Sequence, residues 1–344
     1  MSQQPSPSAE VSRSRPGAAR KLVAVLLGLT AAVVLMLCAF ALPSVNGGPH
    51  EVPVGVAGPQ AATEGLRNSL DGPEWDVTVY DDAKALTAAV EEREIPGGVV
   101  ISPGKIDIYT ATAGAPMASN ALTALGNAAA AQQQVRPTVH ELAPYPDDDP
   151  RGAGFGAAGL PLVFGGMIPA IALTRLFPGP AGLRTRLTGV VLFSLLAGAA
   201  VTAFLQYGTG SLTGAYWVTA LGLSLGMAAL STTFIGLEAL LGFAGLGAGA
   251  AVMMLLGNPL SGLATGPYWL PSGWATFGQL LPPGASGSLL RANAYFDGTG
   301  AQTPLLTLAA WVALGLVLLL VADRRGAGKT GTGVAAAQPQ AAAL

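Results

Sequence analysis

The 344-residue sequence has little charge, since Asp, Glu, Lys and Arg together make up only 10% of it. Soluble domains carry roughly 25%. Hydrophobic residues account for 51% of the chain, and its mean hydropathy is +0.51. The low content of charged residues excludes an ordinary soluble domain and indicates a membrane protein. The sequence also contains no basic patch that would suggest nucleic acid as a partner.

Reactive side chains are equally scarce. The one cysteine, Cys38, lies in an apolar run, so neither a disulfide framework nor a cysteine metal site can be built. The two histidines, His50 and His140, lie near the ends of a polar stretch that closes with the acidic run 147–149. A His/Asp metal site is one interpretation, but a solvated linker explains these residues better. We predict no catalytic site, no metal site and no cofactor in this chain.

Long apolar runs predict about six membrane spans. A helix needs about 20 apolar residues to cross the hydrocarbon core, and its backbone polar groups must be bonded within the segment. The first run has a basic lead like that of a signal peptide, but it is too long for one, which favours an uncleaved span. The predicted spans are Leu22–Leu42, Gly154–Leu173, Leu187–Gln206, one that begins near Ala215, one that ends near Gly257 after a tight turn at 235–242, and Leu305–Ala322.

The positions of basic residues predict the orientation. Ten of the 17 lie in three short segments on one side of the spans, and the short loop 207–214 has none. Because cytoplasmic loops are enriched in Lys and Arg, both termini are expected in the cytoplasm. The ten are Arg13, Arg15, Arg20, Lys21, Arg175, Arg184, Arg186, Arg324, Arg325 and Lys329.

Residues 43–153 differ from the rest, with 15 acidic and six basic residues between Ser44 and Gly154. Alternating apolar residues predict strands there, and helical spacing predicts helices. The stretch is therefore expected to form a compact α/β domain outside the membrane. The predicted elements are strands at 51–56, 75–80, 98–101 and 106–109, with a hairpin at Pro103-Gly104, and helices at 61–70, 82–94 and 117–134.

A second unusual stretch, 258–303, is apolar but interrupted by proline and glycine. Four aromatic residues cluster there, and aromatic rings favour the membrane–water boundary. We interpret the stretch as a re-entrant or interfacial pair of short helices. It either lines the exit of a translocation path or forms an inert interfacial cap. The aromatic residues are Tyr268, Trp269, Trp274 and Phe277.

The combined prediction is an α-helical integral membrane protein with about six spans and a small α/β extracytoplasmic domain inserted after the first span. It is expected to be a multi-pass protein of the plasma membrane. The predicted segments are a disordered cytoplasmic tail (1–21), the first span (22–42), the extracytoplasmic domain (43–153), a five-span domain (154–325) that includes the re-entrant stretch at 258–303, and a second disordered cytoplasmic tail (326–344).

This order of elements resembles the membrane subunits of ABC-2 type exporters, particularly the branch that includes the phage-infection proteins. Several short stretches of the sequence are also similar to that branch. These are Leu42-Pro-Ser-Val-Asn-Gly-Gly48, Gly97-Gly-Val-Val-Ile-Ser-Pro103, Leu280-Leu-Pro-Pro-Gly284, Arg291, and Tyr295-Phe-Asp-Gly298. The resemblance implies a permease that forms the translocation path, with ATP bound by a separately encoded ATPase subunit and no enzymatic activity in this chain.

The same resemblance implies that the link between the second and third spans presents a short coupling helix to the ATPase. Apolar side chains would fill a groove on the ATPase, and arginines would pair with acidic groups around it. The residues in that position are Arg175, Phe177, Leu183, Arg184 and Arg186.

The expected function is export of a hydrophobic or amphipathic substrate by a homodimer or a paired permease in contact with membrane lipid. Two alternatives remain open. One is half of a proton-driven pump, for which Glu238 is the only candidate intramembrane acid. The other is a membrane receptor or scaffold that uses the outer domain.

Overall fold

The computed structural model describes residues 16–271 and 273–335. The helices are α1 (Pro16–Val45), α2 (Gln60–Ser69), α3 (Ala83–Glu91), α4 (Pro116–Gln132), α5 (Ala153–Ala157), α6 (Gly159–Leu176), α7 (Leu183–Ala203), α8 (Tyr216–Leu241), α9 (Phe243–Val252), α10 (Trp274–Leu280), α11 (Pro282–Tyr295) and α12 (Gln302–Ala335). The strands are β1 (Val52–Ala57), β2 (Trp75–Tyr80), β3 (Gly97–Ser102), β4 (Lys105–Thr110) and β5 (Thr138–Glu141).

The two predicted tails lie partly outside the described residues, which exclude 1–15 and 336–344 and therefore Arg13 and Arg15. Helix α1 begins at Pro16 and α12 continues to Ala335. The helices thus extend into both segments that were predicted to be disordered.

The five strands form one mixed sheet in the order β2-β1-β3-β4-β5. Strand β1 pairs in parallel with β2 and β3, while β3 and β4 form an antiparallel hairpin. Gly104 allows this tight turn because it adopts a φ of +71°. We call residues 52–141 the sheet domain. The predicted strands and helices of this domain are confirmed, and β2 begins and ends at the predicted residues. Strand β5 was not predicted.

Among the residues that the structure describes, five helices are long and apolar enough to cross a membrane, which supports a membrane-embedded protein. The apolar helical stretch Phe243–Gly257 has 15 residues, about 22 Å of helix. That length is short for a bilayer core of about 30 Å. The long helices are Ala19–Leu42, Ala153–Leu176, Leu183–Gly208, Tyr216–Leu241 and Gln302–Arg325.

Helix α8 is the centre of the bundle, with 78% of its apolar window buried. Helices α6, α7, α9, α11 and α12 all pack against it. Glycines make these approaches close: Gly166 of α6 lies against Leu230, and Gly315 of α12 lies against the backbone of Thr232. Small residues permit such close helix packing.

The prediction of a turn over 235–242 is wrong in length, because the turn in the structure is much shorter. Helix α8 continues to Leu241, and the chain reverses at Gly242 alone, which adopts a φ of +71°. A glycine can take this left-handed conformation without steric penalty, so a single residue ends one helix and starts the next. Glu238 consequently lies on α8 and not in a loop.

The stretch before α12 contains the expected pair of short helices, α10 and α11. We call residues 258–301 the interrupted segment. Pro282 and Pro283 occupy the first turn of α11, where a proline costs no hydrogen bond. The sheet domain packs on this segment, because Phe296 is buried in the domain's hydrophobic core. We call this side of the bundle the sheet end.

Helix α1 stands apart from the bundle. None of the residues in its apolar window is buried, and its main contacts are with residues 253–261 near the sheet end. Its apolar surface is therefore available to lipid or to another helix.

Candidate functional site

Arg291 lies at the centre of the junction between the sheet domain and the helices. Its Nη1 donates to the carbonyl of Gly114 at 2.8 Å, and its Nη2 donates to the carbonyl of Leu263 at 2.9 Å. The guanidinium also lies 4.7 Å from the ring centroid of Phe155. With 4% of its surface exposed, this one side chain connects the sheet domain, the interrupted segment and α5.

Arg93 makes the reciprocal contact from the sheet domain. It follows α3 in a left-handed conformation, with a φ of +62°. Its Nη1 donates to the carbonyl of Thr299 at 3.0 Å, and its guanidinium lies 4.8 Å from the ring centroid of Phe296. Burial, together with repulsion from Arg291, lowers the pKa of Arg93 to about 10. Arg93 of the sheet domain and Arg291 of α11 therefore both fasten the domain to the interrupted segment.

In the sequence, Arg291 stands out only as part of a resemblance, and no pattern predicts a role for Arg93. The sequence contained only a weak indication that Arg291 is important. Arg291 is the only charged residue of α11, and charge in an apolar helix is expensive and often functional. Its hydrogen bond to Gly114 joins residues 177 positions apart, so no local pattern could reveal the partner.

The four aromatic residues of the interrupted segment do not form one wall. Tyr268 packs on the sheet domain, and its carbonyl accepts a hydrogen bond from the amide of His50. Trp269 lines a separate cavity of about 440 Å³. Trp274 and Phe277 are in edge-to-face contact, with 49% and 41% of their surfaces exposed. Only Trp274 reaches the larger groove described next.

An apolar groove of about 570 Å³ lies between α1 and the end of α9. Its wall on α1 includes Leu35, Cys38 and Leu42, and the opposite wall includes Val252 and Leu256. At the sheet end the groove meets Leu260, Pro271 and Trp274. Its lining is almost entirely apolar, which fits an acyl chain or another hydrophobic group better than a polar solute.

The residues predicted to contact an ATPase are divided by the structure. Between α6 and α7 the described chain forms only a three-residue helical turn, Pro180–Gly182, so the implied coupling helix is replaced by a short loop. Phe177 and Arg184 are exposed, and so is the neighbouring Leu176. These side chains form part of the accessible surface at the loop and at the helix ends beside it.

The other three predicted coupling residues hold helix ends together. Arg186 is buried, with Nη1 3.4 Å from Oε2 of Glu238 and Nη2 donating to the carbonyl of Gly179 at 3.1 Å. Arg175 lies over the ring of Phe243, and Leu183 packs against the apolar core. Glu238 is thus one half of an ion pair at the end of α8 opposite the sheet domain.

We expect Arg186→Glu to destabilise the folded bundle by about 2–4 kcal/mol, because it places two carboxylates together in a largely buried position. Thermal unfolding in detergent measures the effect. Arg184→Glu, an exposed change two residues earlier, should leave the midpoint unchanged. The double variant Arg186→Glu/Glu238→Arg should recover part of the loss, and a single variant as stable as the wild type would contradict the pairing.

His140 and Asp149 make structural contacts. His140 Nε2 lies 2.8 Å from Asp107 Oδ1, and the imidazole stacks on Tyr109. Asp149 accepts hydrogen bonds from the amides of Ala153 and Gly154 at 2.8 Å each, so it satisfies two free amides at the start of the second long helix. Within residues 16–271 and 273–335, no group of three or more His, Cys, Asp or Glu side chains could hold a metal ion.

Asp107 predicts acid sensitivity of the sheet domain. Burial acts to raise the pKa of its carboxyl, but hydrogen bonds from Lys105 and His140 outweigh this and hold the pKa below its usual value. Such a carboxylate stabilises the fold fully above its unfolded pKa of about 3.9, and that contribution is lost as pH falls through the folded value. We expect Asp107→Asn to flatten the stability curve below about pH 4, as measured by thermal unfolding from neutral to acid pH.

The exposed Asp76→Asn variant on β2 is the matched control, and it should keep the wild-type acid profile. If Asp107→Asn and the wild type lost stability in parallel on acidification, Asp107 would have no special part in the domain's response to pH.

Neither a protein-family model nor a curated protein matches this chain. Its long apolar helices and its small mixed sheet identify it as a membrane-embedded helical protein with one α/β domain.

Proposed function

We propose that this chain is the membrane permease subunit of an ABC-2 type exporter, in the branch that includes the phage-infection proteins. It works as a homodimer or with a paired permease, and a separately encoded ATPase subunit binds ATP. The chain itself is a transport subunit and carries out no enzymatic reaction. The substrate is hydrophobic or amphipathic.

The observation that carries this proposal is the apolar groove beside α1. The groove runs along a helix whose apolar face is otherwise uncovered, and it meets the interrupted segment beneath the sheet domain. A hydrophobic molecule entering from the bilayer could move along such a surface without losing apolar contact. The sheet domain, fastened by Arg93 and Arg291, would then respond to any movement of that segment.

Charge distribution supports an orientation for the proposal. The exposed Arg184, together with the exposed Arg324 and Arg325 in the C-terminal part of α12, lies at the end of the bundle away from the sheet domain. The positive-inside rule places that end in the cytoplasm. Both termini are then cytoplasmic, residues 43–153 are outside the plasma membrane, and the 177–182 loop faces the ATPase.

Glu238 offers little support for a proton-driven pump. Its carboxylate pairs with Arg186 at the end of a helix, whereas proton relays use ionisable groups deep in the spans. Under the exporter proposal this pair keeps α7 and α8 together behind the loop that the ATPase contacts.

Co-purification tests the proposal. The tagged chain is extracted from its native membrane in mild detergent, and ATPase activity is measured in the eluate. We expect activity with the wild type and at least a tenfold loss with Arg184→Glu, because the substitution reverses the charge of an exposed contact. The matched control is Arg324→Glu, an exposed arginine on the same side but outside the loop, which should retain activity. Absence of any ATPase from the wild-type eluate would favour a receptor or scaffold.

Orientation is tested by labelling intact cells with a membrane-impermeant maleimide. In a Cys38→Ser background, Asp76→Cys on β2 should be labelled from outside, and Thr185→Cys at the start of α7 should be labelled only after permeabilisation. The reverse pattern would overturn the proposed orientation.

A further inference from the structure

The two junction arginines share a small cavity. Its volume is about 60 Å³, and its polar lining consists of Arg93, Arg291, Tyr268 and Ser288. Apolar residues such as Pro96 and Phe296 complete the walls. Two cationic groups from different parts of the chain thus meet in one partly apolar enclosure.

These charges are not balanced by acidic side chains. Among residues 16–271 and 273–335, the ion pairs involve Lys105, His140 and Arg186, and neither junction arginine takes part. The Nε of Arg291 is buried and has no hydrogen-bond partner within the same residues. Burying an unpaired charge is costly, and two like charges close together add to that cost. An anion in the cavity would relieve both.

We propose that the cavity between Arg93 and Arg291 binds a phosphate group, from free inorganic phosphate or from the headgroup of an anionic lipid. Guanidinium groups favour phosphate because their planar donors match its oxygens. The hydroxyl of Tyr268, on the cavity wall, can donate a further hydrogen bond. The proposal goes beyond transport and does not depend on it.

Size limits what can enter. One water needs about 10–15 Å³ of cavity volume, so 60 Å³ accommodates about four to six non-hydrogen atoms, a range that includes the five of a phosphate group. A larger anion would fit only by its charged end. Since the cavity lies between the sheet domain and the interrupted segment, occupancy would tighten the junction between them.

The test measures stabilisation of the purified full-length chain. In neutral detergent, phosphate is titrated at constant ionic strength, and in parallel the chain is reconstituted in nanodiscs of phosphatidylglycerol or of phosphatidylcholine. We expect the unfolding midpoint to rise by a few degrees, saturably, because a ligand that binds only the folded state stabilises it. A rise with free phosphate identifies a diffusible anion, and a rise only in phosphatidylglycerol identifies a lipid headgroup.

Arg93→Gln should weaken the apparent affinity at least tenfold, while Arg136→Gln, an exposed arginine of the same domain, should respond like the wild type. Tyr268→Phe keeps the ring and removes only the hydroxyl, and it should also weaken phosphate binding. This variant tests the proposal if Arg93→Gln fails to fold. The proposal is overturned if the wild type responds to neither phosphate nor phosphatidylglycerol, or if every variant responds equally.

Discussion

Gly315→Leu is expected to leave little correctly folded protein in the membrane. At this glycine α12 crosses α8, and a Cβ atom would lie 2.7 Å from both the carbonyl oxygen of Thr232 and the amide nitrogen of Thr233. A Cβ atom on Gly236 of α8 would in turn lie 2.7 Å from the carbonyl oxygen of Gly315. Since both obstacles are backbone, no side-chain rearrangement relieves the clash, and the helices must separate. Overpacking that side chains can absorb costs about 1–3 kcal/mol, so a loss of at least about 4 kcal/mol is expected here.

Size-exclusion chromatography of detergent extracts, followed by thermal unfolding, measures the outcome. Two glycines provide matched controls, because a Cβ at Gly28 of α1 or at Gly247 of α9 meets no atom within 4 Å. Leucine at either position should give a sharp peak and a wild-type midpoint. If Gly315→Leu behaved like these controls, the close crossing of α8 and α12 would be incorrect.

Arg291→Met is expected to loosen the sheet domain from the helices. Methionine keeps much of the length and apolar contact of arginine, but the carbonyls of Gly114 and Leu263 lose their donors. Each hydrogen bond to a charged donor contributes about 1.5–3 kcal/mol, and the contact with Phe155 adds about 0.5–2 kcal/mol. Removing the desolvated charge offsets part of this loss, which leaves a net destabilisation of about 3 kcal/mol.

Hydrogen exchange distinguishes this local effect from general unfolding. In Arg291→Met, the amides of 111–115 and 262–266 should exchange faster, while those of α8 should stay protected. Arg151→Met changes an exposed arginine near the same junction and should leave both regions as in the wild type. Unchanged exchange at 111–115 in Arg291→Met would show that other contacts suffice to hold the domain. Arg291→Lys should restore only part of the protection, since a lysine does not reproduce the planar guanidinium fork.

Much of the fold was predictable because it follows local patterns. Alternation of apolar residues located β2 to the residue, and Asp82 caps α3, where a helix start was expected. Strand β5 was not predicted because it has only four residues after Pro137, of which three are exposed and none is fully buried. It therefore shows no apolar alternation. Its place in the sheet comes from parallel pairing with β4.

The candidate site was much less predictable than the fold. The resemblance grouped Arg175, Arg184 and Arg186 as one surface, but burial separates them, because Arg186 turns inward to Glu238 while Arg184 remains exposed. Likewise, the aromatic cluster is continuous in sequence but dispersed in space. The sequence of a segment shows which side chains are present. Whether a side chain points into the bundle or outward depends on how that segment packs against the other helices.

The central position of α8 has a consequence for biosynthesis. Of the five long helices found among the described residues it has the lowest mean hydropathy, 1.6, against 2.8 for the unburied α1, so it gains least from entering lipid alone. Its partners α6 and α7 leave the ribosome before it does, and they offer packing surfaces as soon as it emerges from the translocon. Helix α12 arrives last and closes the remaining side. Shortening the chain before α12 should therefore expose α8 to the quality-control proteases that survey newly inserted helices.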